Sequence, residues 1–143
     1  MKCWFGNIKN GEMHLNKSGE IAKQCFIDIP LHFKYAEIDY FDVMPNHVHG
    51  IIIINDTVGT RHGVSLQNNM KFGNPVKHSL PVIVNLYKGS VTKLIRKSCF
   101  PFFQWQPRFY DHVIRNDIDL HRIRTYIKNN PLKWEIDEYY ENE

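Results

Sequence analysis

Val43-Met44-Pro45-Asn46-His47-Val48-His49-Gly50-Ile51-Ile52-Ile53-Ile54 is the stretch that decides the fold. Residues 47–54 read as a strand. His47, His49, Ile51 and Ile53 point to one face, and Val48, Gly50, Ile52 and Ile54 to the other. Both faces are largely apolar, which predicts a central, covered strand. Pro45 cannot donate to a ladder, so 44–46 form a tight connection. Residues 35–43 then read as the preceding strand.

Outward from this hairpin, Asn10-Gly11 is a turn signal, because both positions tolerate positive φ, and strands are expected on either side of it. Residues 18–32 read as a helix capped by Ser18. Ile21, Cys25 and Ile29 fall four apart, and Pro30 sits at the helix end. Residues 56–80, rich in Asn, Ser, His, Gly and Pro, read as a long surface loop. Residues 81–97 form a second helix with Ile83, Leu86, Tyr87, Val91, Leu94 and Ile95 as its apolar stripe. The aromatic and β-branched runs 102–105 and 110–114 read as short strands. A last helix starts at Asn116 or Asp117 and is closed by Pro131. This order predicts an α+β fold with an antiparallel sheet and helices packed against it. A chain of 143 residues suits one domain, 1–143.

No apolar stretch approaches the roughly 18–20 residues needed to span a bilayer, so no membrane partner is expected. The first residues lack the apolar core of a signal peptide. Three widely spaced cysteines, Cys3, Cys25 and Cys99, exclude a disulfide framework or a four-cysteine zinc site by count. Reduced thiols in a cytoplasmic protein are expected. Net charge is only +3, but it is unevenly spread. Residues 1–71 are neutral, residues 72–134 carry eleven bases against three acids, and 135–143 form an acidic tail with five acids and no base. The basic stretch fits a polyanion such as nucleic acid, or simply a solvated helix face.

Two histidines at i and i+2 on a strand project to one face, where their imidazoles can converge on a metal ion. Histidines among isoleucines need partners, and a metal would be one. On the last helix Leu120, Ile123 and Ile127 make the core stripe, while Arg122, Tyr126 and Asn130 form an adjoining polar one. Tyr126 therefore sits at the edge between core and solvent. A tyrosine phenol is a poor nucleophile unaided, but it can form a phosphotyrosine where a metal polarises the phosphate. Alone, each of these features is better explained as packing.

Two segments together resemble the HUH single-tyrosine transposases, most nearly the REP-associated tyrosine transposases. Val43-Met44-Pro45-Asn46-His47-Val48-His49-Gly50-Ile51-Ile52 is similar to the HUH motif. Tyr110-Asp111-His112-Val113-Ile114-Arg115-Asn116, then Leu120, then Ile123-Arg124-Thr125-Tyr126-Ile127-Lys128-Asn129-Asn130-Pro131, resembles the tyrosine helix of that family. Phe5-Gly6, Asn10-Gly11-Glu12-Met13 and Leu31-His32-Phe33 also fit, so the likeness runs from about Cys3 to Trp134. The resemblance implies a central antiparallel sheet flanked by helices, a ferredoxin-like or RRM-like nuclease fold. It implies that the family's first strand, ahead of Cys3, is missing here.

The resemblance further implies that His47 and His49, with Asn130, bind a divalent ion, Mg²⁺ or Mn²⁺, and that Tyr126 attacks single-stranded, hairpin-forming DNA. The products would be a 5′-phosphotyrosine and a free 3′-hydroxyl, and DNA transposition or repeat mobilisation would be the outcome. A homodimer is left open. Lys88, Lys93, Arg96, Arg108, Arg115 and Arg122 are the expected DNA contacts. Phe102, Phe103, Trp105, Phe109 and Tyr110 stack bases or fill the core, and most are read as core. Two other readings compete. One is a catalytically inactive single-stranded nucleic-acid-binding module on the same fold. The other is a metalloenzyme using His47, His49 and a carboxylate, unrelated to DNA.

Overall fold

The computed structural model describes residues 2–55, 79–107 and 109–136, so the expected loop 56–80 (bar its last two residues), Arg108 and nearly all of the acidic tail lie outside the described residues. Strands β1 (Gly6–Lys9) and β2 (Glu12–Leu15) pair antiparallel around Asn10 and Gly11. Both turn residues take positive φ, 54° and 74°, as a two-residue hairpin loop requires. Strands β3 (Ala36–Val43) and β4 (Val48–Ile54) make the second antiparallel pair, with Val43 opposite Val48 and Ala36 opposite Ile54. The architecture is α+β with two small sheets. One expectation is corrected here: among the described residues β4 pairs with β3 alone and is not a central strand. Its apolar residues on both faces reflect helices on either side of a two-stranded ribbon.

Helix α1 (Lys17–Ile27) is capped by Asn16, whose side-chain oxygen accepts from the Gly19 N–H at 3.0 Å. Ser18, the expected cap, lies buried inside the first turn. Asn16 wins because it is also tied to the chain before β1: its N–H donates to the Phe5 carbonyl and its Nδ2 to the Trp4 carbonyl. The expected single helix 18–32 breaks at Asp28, and a one-turn helix α2 (Ile29–His32) follows. Pro30 has no N–H for the helix and crowds the preceding turn, but it suits a new first turn.

Helix α3 (Leu80–Ser98) buries Ile83, Tyr87, Val91 and Ile95 at four-residue spacing. The stripe is narrower than expected, since Leu86 and Leu94 are exposed. These residues meet Ala22 and Phe26 of α1, and the buried Tyr87 hydroxyl donates to the Ala22 carbonyl at 3.0 Å. Phe26 stacks on Phe41 of β3 at 4.5 Å and beneath Gly50 of β4, where a Cβ would lie 2.2 Å from its Cζ. Thus Val43, Phe41, Val48 and Ile52 face this core, and His49 faces away from it.

Neither 102–105 nor 110–114 forms a strand. The backbone of the first run is claimed otherwise. The Phe103 N–H closes a turn onto Phe100, Arg96 Nε donates to the Phe103 carbonyl, and Lys88 Nζ donates to the Gln106 carbonyl. The aromatics of this segment pack as a cluster rather than alternating: Phe103 and Trp105 lie against Phe5, and Phe103 also against Trp4. Of the five aromatics read mostly as core, only Phe103 is fully buried. Trp105 is half-buried, and Phe102, Phe109 and Tyr110 are exposed.

Helix α4 (Asp117–Asn129) is capped by Asn116, whose oxygen accepts from the Asp119 N–H at 2.8 Å. It lies against β3 and β4, burying Ile127. A 3₁₀ helix (Pro131–Ile136) follows directly, so Pro131 redirects the chain rather than ending its helical course. Among the described residues no helix is long and apolar enough to cross a membrane.

Candidate active site

The connection 44–47 is buried throughout, and the Met44 N–H donates to the His47 carbonyl at 2.9 Å. His47 therefore sits just before β4, and His49 is the second residue of the strand. Asn46 Oδ1 lies 2.6 Å from His47 Nδ1. An amide oxygen only accepts, so Nδ1 carries the ring proton and Nε2 keeps its lone pair. His47 Nε2 and His49 Nε2 are 2.8 Å apart. The expected convergence of the two imidazoles is thus present. Burial, with His49 beside it, pushes the His47 pKa down to about 3. At neutral pH the ring is uncharged, the form in which imidazole ligates metal.

Helix α4 brings Tyr126 to this pair. Its ring centroid lies 5.5 Å from that of His49, at 77°, and the residue is 51% exposed. The expected position at the edge between core and solvent holds. Trp134 stacks on His47 at 6.2 Å. Asn130 lies in sequence between these two aromatics and is 2% exposed. Its Nδ2 has no hydrogen-bond partner among the described residues. A buried carboxamide with an unsatisfied N–H donor is costly, and the partner it calls for is an acceptor such as water rather than a cation. No group of three or more His, Cys, Asp or Glu side chains gathers among the described residues. Two neutral imidazoles are the donors that this face offers a divalent cation.

Three contributors escaped sequence reasoning. Asp42 stands directly opposite His49 in the ribbon, and burial raises its carboxyl pKa. The signal for it was the turn itself, since a connection at 44–47 puts 42 across from 49. Asp39 occupies the irregularity between Ile38 and Tyr40 and forms a two-point ion pair with Arg124, whose guanidinium holds the carboxyl below its usual range. This pair pins α4 to the ribbon two residues from Tyr126. Trp134 carried no local signal, because its partner is 87 positions earlier.

The expected DNA contacts are scattered in role. Lys88 and Arg96 hold the 100–107 segment through the carbonyls already named, and Arg122 pairs with Asp119. Lys93 and Arg115 are exposed, and Arg108 lies outside the described residues.

The chain is 38% identical over 141 residues to an uncharacterized protein of Haemophilus influenzae, an alignment covering 97% of this chain and 78% of that one. No family model and no solved structure matches it.

Proposed function

We propose that this chain, which belongs to the same family as the Haemophilus influenzae protein, is a metal-dependent DNA strand transferase that uses Tyr126 as its nucleophile on single-stranded, hairpin-forming DNA. The observation that carries the reading is the meeting of three side chains from separate elements. Two imidazole nitrogens 2.8 Å apart lie beside a half-exposed tyrosine ring, and the buried Asn130 sits one turn further along the tyrosine helix. A divalent ion, Mg²⁺ or Mn²⁺, held by His47, His49 and Asn130 would supply Lewis-acid polarisation of a scissile phosphate.

The protein's own part follows from its groups. The phenol oxygen of Tyr126 attacks phosphorus, and an O–P bond to the 5′-phosphate forms. The bond to the 3′-oxygen breaks, and that oxygen leaves as a hydroxyl after taking up a proton equivalent to the one the phenol loses. The phosphodiester energy is kept in the phosphotyrosine, so rejoining to another 3′-hydroxyl needs no nucleotide cofactor. Asn46 keeps His47 in one tautomer, as the orienting partners of metal-binding histidines do. The Asp39–Arg124 pair holds the nucleophile's helix in place.

The test is covalent trapping on a denaturing gel with labelled hairpin oligonucleotides and Mn²⁺. A shifted band that disappears in Tyr126→Phe, in His47→Ala and with EDTA supports the reading. Retained strand binding by a folded protein with no adduct would replace it with the inactive binding module. Metal binding without DNA affinity would replace it with a metalloenzyme of another kind.

A further inference from the structure

Helix α4 carries a second polar arrangement, one turn ahead of Tyr126. Asp119 accepts at both carboxylate oxygens. His112 Nε2, from the chain just before the helix, donates to one at 2.7 Å, and Arg122 Nη2 donates to the other at 2.5 Å. The two bonds hold the Asp119 carboxyl below its usual range. Asn116 already caps the helix start, so the fold asks nothing more of this side chain there. An exposed pair at this spacing also adds little stability.

What the arrangement does is fix an arginine. The Arg122 side chain is 71% exposed, while the carboxylate that grips it is 17% exposed. Asp119 takes one of the five N–H donors of the guanidinium, and the planar fork suits phosphate oxygens. Side chains on a helix lean toward its N-terminus, so Tyr126 overlies the turn that bears Arg122. Arg122, Tyr126 and Asn130 thus follow one another along a single stripe of α4. Its Asn130 end is buried, its middle meets His49, and its Arg122 end is open to solvent. A strand lying between Tyr126 and the histidine pair leaves past that open end. Arg124, the other arginine of this helix near Tyr126, is committed to Asp39.

Resting on the strand-transfer reading above, we infer that Arg122 binds the phosphate next to the scissile one, and that Asp119, itself held by His112, is the positioning residue that aims the guanidinium. The contact carries no base information. It sets which phosphodiester of the strand stands in front of the Tyr126 phenol.

The experiment uses the full chain with Mn²⁺ and a labelled hairpin oligonucleotide carrying unpaired flanks. Its phosphates are replaced one at a time by uncharged methylphosphonates. Binding is read by fluorescence anisotropy and adduct formation on a denaturing gel. For the wild type, neutralising one phosphate beside the attacked one weakens binding about tenfold, as loss of a charge-assisted contact does. In Arg122→Gln, an exposed change that leaves the core untouched, the intact strand binds more weakly by a similar factor. The penalty at that phosphate vanishes, and the slope of log affinity against log salt falls by about one. Arg122→Lys keeps the slope but regains the adduct rate only in part, because an ammonium lacks the fork. Asp119→Asn keeps the slope and slows adduct formation about tenfold, as misdirection of a retained charge does. A penalty or a salt slope unchanged in Arg122→Gln overturns the phosphate contact while Tyr126 adducts persist. An Asp119→Asn rate equal to that of the wild type overturns the positioning role. If the wild type forms no Tyr126 adduct with any strand, the strand-transfer reading falls, and this inference with it.

Discussion

Acid should unfold this protein through His47, and removing that one ring should remove the effect. The ring is buried between Trp134 and His49, and its proton affinity is lowered until the pKa reaches about 3, from an ordinary 6.5. The unfolded chain takes up a proton below about pH 6.5, and the folded one resists doing so. Stability is therefore fully present above pH 6.5 and is lost as pH falls toward 3, at up to about 1.4 kcal/mol per pH unit. Across the window the loss amounts to about 4 kcal/mol, a large share of the stability of a small domain. Asp42 acts in the opposite sense, because its raised carboxyl pKa favours the fold in acid, but it is present in every variant compared. The assay is urea unfolding followed by tryptophan fluorescence, with EDTA, between about pH 4 and pH 7. Wild type should lose stability steeply on acidification. His47→Asn should show a shallower dependence, so that the difference between the two shrinks or reverses at low pH. Parallel curves would refute the claim that burial holds His47 neutral.

Gly50→Ala should destabilise the fold by about 1–3 kcal/mol in the same urea assay, because its Cβ would lie 2.2 Å from Phe26 Cζ and displace a ring wedged against Phe41 and Tyr87. An unchanged midpoint would mean that the ring has room to move. Asp39→Asn and Arg124→Leu should slow adduct formation by about 10- to 100-fold through misplacement of Tyr126, with Mn²⁺ affinity kept. Loss of metal binding in either variant would contradict a purely positioning role. Mn²⁺ should raise the melting temperature of the wild type, by the equivalent of about 2.7 kcal/mol at a hundredfold excess over Kd, and leave His49→Ala unmoved. An equal shift in both proteins would place the ion elsewhere.

The legible parts of the chain were those whose signal is local. Asn10-Gly11 could hardly be anything but a hairpin turn, and Asn116 followed by Asp117 marked the start of α4. His47 and His49 were legible as a converging pair because they are two apart at the start of a strand, and the connection before β4 keeps His47 on the same side. What failed was set by distant partners. Asn16 and Ser18 are both good caps, and the choice between them was made by Trp4 and Phe5, which no local pattern connects to α1. The aromatic run 102–105 looked like a strand because aromatics are common in strands, yet its carbonyls are taken by Arg96 and Lys88 from α3. Asp39 was invisible as an anchor, since its partner Arg124 is 85 residues away.

The most direct measurement is to identify the residue that carries DNA after reaction. The protein is incubated with a hairpin oligonucleotide and Mn²⁺, digested with nuclease and trypsin, and examined by tandem mass spectrometry. The account predicts a nucleotide joined through its 5′-phosphate to Tyr126, within the tryptic peptide of residues 125–128. A nucleotide on any other side chain, or an unmodified 125–128 peptide from protein that has cleaved its substrate, would contradict it.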